Sequence, residues 1–133
     1  MTSLKEGIKF HGHLGPYLVL GILAGELALK KLRAKKYFGL DVRVLGADKK
    51  PKSCFIDGLQ LATGATYGKG NIIKLKAAKV RVIFRNLQNH RKLKLWLKRD
   101  LSKKLNSLKG HHDSEAFART LYKTNPRDLF NIT

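Results

Sequence analysis

The chain has 133 residues, 43% hydrophobic and 28% charged, which fits one folded domain and excludes wholesale disorder. Its single cysteine rules out an intrachain disulfide and a paired-cysteine zinc module, and points to a reducing, cytoplasmic setting. No secretory signal pattern is evident at the start, and the longest apolar stretch, Pro16 to Gly25, is too short to cross a bilayer, so no membrane association is expected.

The formal charge is +19, and the excess is concentrated: residues 69–109 carry 14 Lys or Arg against one acid, Asp100. Such a stripe attracts nucleic acid, acidic proteins or phosphorylated ligands. It is equally what a lysine-rich, solvated surface of a heat-adapted protein looks like.

In chain order, Ser3-Leu4-Lys5-Glu6 is a capping box and predicts a short helix over about residues 4–9. Gly12 and Gly15 loosen the backbone, and Pro16 suits the first turn of a second helix running to about Leu32. That helix is apolar nearly all round, which marks it as central and buried. Its small face, Gly21, Ala24, Gly25 and Ala28, would let the backbone of a sheet or another subunit come close. Val42 to Gly46 alternates and reads as a strand. Ser53 is a candidate N-cap for a helix from Cys54 to Ala62. Ile72 to Leu75 and Val80 to Arg85 read as strands paired with each other across a turn near Ala77-Ala78. From His90 to Leu108, the leucines at 93, 97, 101, 105 and 108 form a stripe with Trp96 beside it, predicting an amphipathic surface helix that Gly110 stops. Ser114 to Tyr122 makes a last helix, and Asn125-Pro126 starts a turn before Asp128. Helices and strands in mixed order give an α+β fold.

The chemistry concentrates in two stretches. Phe10-His11-Gly12-His13-Leu14-Gly15-Pro16 brings two imidazoles to the threshold of the buried helix, on the same side if the segment is extended. Cys54 at the start of the next predicted helix would have its thiolate favoured by the helix dipole, with Asp57 and Gln60 one turn apart on a face that could share the cleft. Two histidines and a thiolate suit zinc or a similar divalent ion, and Asp57 could ligate or orient an imidazole. The alternative reading is structural: one imidazole capping a carbonyl, the other exposed, and Cys54 a small buried hydrophobe. The glycine-rich segment Gly64 to Gly70 fails as a nucleotide-binding loop, being one residue short and lacking the hydroxyl after Lys69, which excludes nucleotide hydrolysis. It reads either as an anion or carboxylate site built from backbone amides and Lys69 or as a tight structural turn. His90, His111 and His112 lie in polar surroundings and receive no role.

Together, Phe10-His11-Gly12-His13-Leu14-x-Pro16, Gly25-Glu26-Leu27-Ala28, Cys54-x-x-Asp57-x-x-Gln60 and Thr63-Gly64-x-Thr66-x-Gly68-Lys69-Gly70-Asn71 resemble the FmdE family, named for one component of the molybdenum or tungsten formylmethanofuran dehydrogenase. The resemblance covers roughly residues 8–85. It implies a single FmdE-like domain over 1–133, with a mixed sheet flanked by helices, somewhat thioredoxin-like, and a site able to hold zinc. By position, His11, His13 and Cys54 match the family's metal site. Cys54, His13 and Asp57 are the candidate catalytic groups, and Gln60, Thr63, Thr66 and Lys69 the candidate cofactor-binding ones. Two departures stand out: Gly15 replaces a cysteine that many relatives carry, and the cysteine-rich zinc finger of some relatives is absent. The implied function is an accessory or enzymatic role in one-carbon metabolism, with a homodimer or a dehydrogenase complex as the assembly. The alternative is a basic module that binds nucleic acid or an acidic partner through residues 69–109.

Overall fold

The Ser3 capping box forms as its spacing predicts: Ser3 Oγ accepts from the Glu6 N–H at 3.1 Å, and Glu6 Oε1 accepts from the Ser3 N–H at 3.2 Å. In the computed structural model, which describes Met1–Thr133, this box opens helix α1 (Leu4–His11). The helix passes its predicted end at residue 9 and closes on Gly12, whose φ of 103° is left-handed, a conformation glycine adopts without a Cβ penalty.

Helix α2 (Pro16–Leu32) starts at the proline, and every residue from Pro16 to Gly25 is buried. Its small face meets helix α3 (Cys54–Thr63) rather than a sheet or a second subunit. A Cβ built on Gly21 would stand 2.1 Å from the Phe55 carbonyl oxygen, and one on Gly58 would stand 2.1 Å from that of Leu18. The two helices touch backbone to backbone because each offers a glycine at the crossing. This contact fixes Cys54 and Asp57 relative to the start of α2.

Five strands, β1 (Leu40–Leu45), β2 (Ile72–Leu75), β3 (Arg81–Asn86), β4 (Lys92–Leu97) and β5 (Phe130–Ile132), form a mixed sheet in the order β2-β1-β3-β4-β5. Only β1 and β2 run parallel. The fold is therefore α+β, as the alternation of elements implied. Strands β2 and β3 are not a hairpin: β1 lies between them, pairing Val42 with Ile72 on one side and Phe84 on the other. The burial explains the order. Val42 and Val44 are fully buried and need neighbours on both sides, whereas β2, exposed beyond Ile72, belongs at an edge.

The predicted helix over 90–108 is half strand. In β4, Leu93, Leu95 and Leu97 are buried while Lys92 and Lys94 face solvent, a period of two that outcompetes the four-residue spacing of Leu93 and Leu97. Only the second half is helical, as α4 (Arg99–Ser107), burying Leu101 and Leu105. Gly110 does not stop this helix. It opens α5 (Gly110–Tyr122), which starts earlier than the predicted Ser114, while α4 has already ended at Ser107. Asn125 caps a 3₁₀ turn (Pro126–Asp128), its side chain accepting from the Arg127 N–H at 3.0 Å, and leads into the unforeseen edge strand β5. Leucines and valines of the sheet pack with Val19, Leu20 and Leu23 of α2 and with Ala118 and Leu121 of α5 in one core. No helix is long and apolar enough to cross a membrane.

Candidate functional site

His11 is the last residue of α1, and the left-handed turn at Gly12 folds His13 back on it. The two rings stack with centroids 4.7 Å apart and planes 29° from parallel. Their common side thus comes from a helix end and a turn, not from the alternation of an extended segment. His11 Nδ1 lies 2.6 Å from Asp57 Oδ2, across 46 positions of sequence, because the glycine contact between α2 and α3 holds the two ends together. A carboxylate only accepts, so Nδ1 carries the proton and Nε2 keeps the lone pair in the neutral ring. The His11 side chain is 9% exposed, and its Nε2 is buried with no hydrogen-bond partner. An orphaned buried polar atom is costly unless something meets it.

His11, His13 and Cys54 line one open cleft of about 230 Å³, together with Tyr17 and with His111 and Ser114 from α5. The His111 ring stands edge-on to His13 with centroids 6.4 Å apart. His111 had no role on sequence grounds, and no local pattern marks it: it reaches the cleft only because α5 packs along α2. The donor set, imidazoles and a thiol, suits a borderline-soft divalent ion. No three His, Cys, Asp or Glu side chains are grouped closely enough to hold one without a rearrangement. His13 is exposed, so turning its ring off His11 forfeits only about 1 kcal/mol of stacking.

Cys54 differs from expectation. Burial first, and the nearby Asp57 charge second, push its thiol above the ordinary value, against a smaller opposing pull from Lys50. The helix end gives less help than its position suggests because Cys54 N–H is bonded to Pro51 O at 3.1 Å and Phe55 N–H to Lys52 O at 3.0 Å. The same turn explains why Ser53, in helical conformation, makes no side-chain cap. Cys54 of metal-free protein should therefore be alkylated by iodoacetamide slowly at pH 8, with a rate rising through a midpoint above the usual thiol range. Asp57→Asn should move that midpoint down, since it removes a charge that opposes the thiolate; an unchanged or higher midpoint would contradict the assignment.

The remaining candidate residues lie outside the lining of this cleft. Gln60 Oε1 accepts from Tyr67 N–H at 3.1 Å, Thr66 Oγ1 from Lys69 N–H at 3.2 Å, and Asn71 Oδ1 from Thr66 N–H at 2.9 Å. Thr63 Oγ1 donates to Leu59 O at 2.6 Å and accepts from Ala65 N–H at 3.1 Å. Most amides of the glycine-rich loop are thus taken up by the loop, by Asn71 and by the end of α3, the geometry of a structural turn. The Lys69 ammonium lies over the Phe38 ring, 5.6 Å from its centroid.

Comparison with known proteins agrees with the motif set. The family described as "FmdE, Molybdenum formylmethanofuran dehydrogenase operon" matches residues 10–131. A crystal structure of an FmdE-like protein of the tungsten formylmethanofuran dehydrogenase type, from Syntrophus aciditrophicus, superposes with a TM-score of 0.68, covering 98% of this chain and 68% of that one at 21% identity; at that identity the likeness shows the fold. A "Probable S-adenosyl-L-methionine-binding protein" of Archaeoglobus fulgidus is 31% identical over 80 residues, 57% of this chain. The match spans only 21% of that relative's length.

Proposed function

The chain belongs to the FmdE family, and from that premise we propose that the cleft between α1, α3 and α5 is a zinc-type site, with His11, His13 and Cys54 as donors and Asp57 orienting His11. The single observation that carries this reading is His11 Nε2: a buried lone pair without a partner, on a ring whose other nitrogen is fixed by a carboxylate at 2.6 Å. Carboxylate-held imidazoles are the common second half of metal sites. With a divalent ion held there by the two imidazoles and the Cys54 thiolate, the cleft would offer a Lewis acid with an open position for a substrate oxygen. Buried Tyr17, whose phenol burial keeps protonated, is then placed to donate a hydrogen bond to a bound substrate.

The biological reading that follows is a cytoplasmic accessory or enzymatic role in one-carbon metabolism linked to formylmethanofuran dehydrogenase, as a homodimer or as part of that complex. A second reading, a basic face for nucleic acid or an acidic partner, draws on the exposed cations of β4 and α4, among them Lys92, Lys94, Arg99 and Lys103.

Elemental analysis of protein purified without an affinity tag tests the first reading. About one divalent ion per chain is expected, falling steeply in His13→Ala and Cys54→Ala. Equal metal content in all three proteins would end it.

A further inference from the structure

A second and larger concavity adjoins the histidine-cysteine cleft. It has a volume of about 630 Å³ and is lined by Lys52, Lys79, Arg99 and Lys103, with Trp96 and Tyr17 in its walls; none of its twelve lining residues is acidic. Volumes of this order hold small molecules. Cations from separate segments converge here with no acidic side chain in the lining, and neither ion pair that engages an arginine, Arg43–Asp41 or Arg119–Glu115, involves one of them.

Two features favour an anion in this basin beyond the count of charges. Arg99 sits in the first turn of α4, the positive end of the helix dipole, where a cation is disfavoured on its own. The same helix end has Lys98 at its N-cap and no side-chain cap for its first amides; Asp100 is the one acidic group of that turn, and it does not line the basin. A bound anion satisfies both at once. Trp96 is half-buried and supplies a flat apolar wall, as would suit a planar group attached to the charges.

Tyr17 lines this basin and also the histidine-cysteine cleft, and only Ser53 separates Lys52 from Cys54, so the two spaces adjoin. We propose that the basin is the recognition half of the site, taking the polyanionic end, phosphate or polycarboxylate, of a small substrate whose reacting end passes Tyr17 toward His13 and Cys54. Its orientation rests on the reading of that cleft as the reaction site; its charge chemistry does not. A nucleic-acid strand is disfavoured as occupant, because these cations line a single half-open concavity rather than a continuous track.

Trp96 is the only tryptophan, so its fluorescence reports on the basin directly. Inorganic tripolyphosphate, titrated into chelator-treated protein at low salt, should give a saturable change of one equivalent. Arg99→Ala/Lys103→Ala should weaken it about 100-fold, roughly tenfold for each cation. Lys92→Ala/Lys94→Ala, which removes equal charge outside the basin, should leave it within about twofold. His13→Ala and Cys54→Ala should also leave it unchanged, so the basin stands or falls separately from metal binding. Equal weakening by the two double variants would reduce the effect to diffuse charge and overturn the proposal. So would an absence of saturation with tripolyphosphate alongside tight, length-dependent binding of oligothymidylates, which would assign the face to nucleic acid.

Discussion

Gly58→Ala is expected to lower the thermal unfolding midpoint by roughly 10 °C or more, or to prevent folding, reflecting a loss of about 3 kcal/mol or more. The added Cβ would stand 2.1 Å from Leu18 O, 2.7 Å from Ile22 N and 2.9 Å from Gly21 Cα. All three are backbone atoms, so no rotamer change relieves the clash. The helices must separate, and fully buried Leu59 and Val19 lose their packing with them. Gly21→Ala meets the reciprocal obstacle, Phe55 O at 2.1 Å, and should behave alike. Gly68→Ala is the control, since its nearest neighbour is Thr66 Oγ1 at 3.8 Å and its φ is ordinary; its midpoint should stay close to the parent's. Melting followed by circular dichroism decides the matter. A Gly58→Ala protein that melts within about 2 °C of the parent would mean that α2 and α3 do not cross this closely. The consequence reaches function, because α3 carries Cys54 and Asp57, and any movement of it off α2 draws both away from His11.

Asp57→Ala is the second large effect, and it should appear in ligand affinity more than in stability. The carboxylate is part-exposed and 2.6 Å from His11 Nδ1. Removing it leaves the imidazole free to place its proton on either nitrogen and to turn within the cleft. Loss of such an orienting partner commonly weakens metal binding by about 10–100-fold. Competition titration with a chromophoric chelator should give that loss in zinc affinity for Asp57→Ala, with the melting midpoint shifted by only a few degrees. Unchanged affinity would mean that Asp57 serves the fold alone.

How far the sequence reveals this arrangement depends on whether each element is fixed locally. The capping box at Ser3 and the proline start of α2 depend on neighbouring residues, and both helices form where those residues place them. The convergence of His11, His13 and Cys54 on one cleft is legible from the four family motifs in register, although composition and spacing alone favour a structural reading of the histidine pair. The lysine-leucine segment from Lys92 to Leu97 misleads because Leu93, Leu97, Leu101 and Leu105 satisfy a helical spacing while Leu93, Leu95 and Leu97 satisfy that of a strand. The sheet resolves the ambiguity, since Leu95 is fully buried only if the segment is extended beside β3. The neighbours of β1, the three-residue strand β5 and the arrival of His111 are set by tertiary packing and leave no local signature. The elevated Cys54 thiol is likewise hidden, because it depends first on burial, which tertiary packing sets, and only then on the nearby Asp57 charge.

The proposed gathering of His11, His13 and Cys54 around a divalent ion in one cleft is tested most directly by anomalous diffraction on crystals of untagged protein, with data collected on both sides of the zinc absorption edge. A peak is expected within ligand distance of His11 Nε2 and Cys54 Sγ, present above the edge and absent below it. Crystals grown with zinc that show no peak in the cleft, or a peak bound only by exposed residues such as His90, would contradict the account.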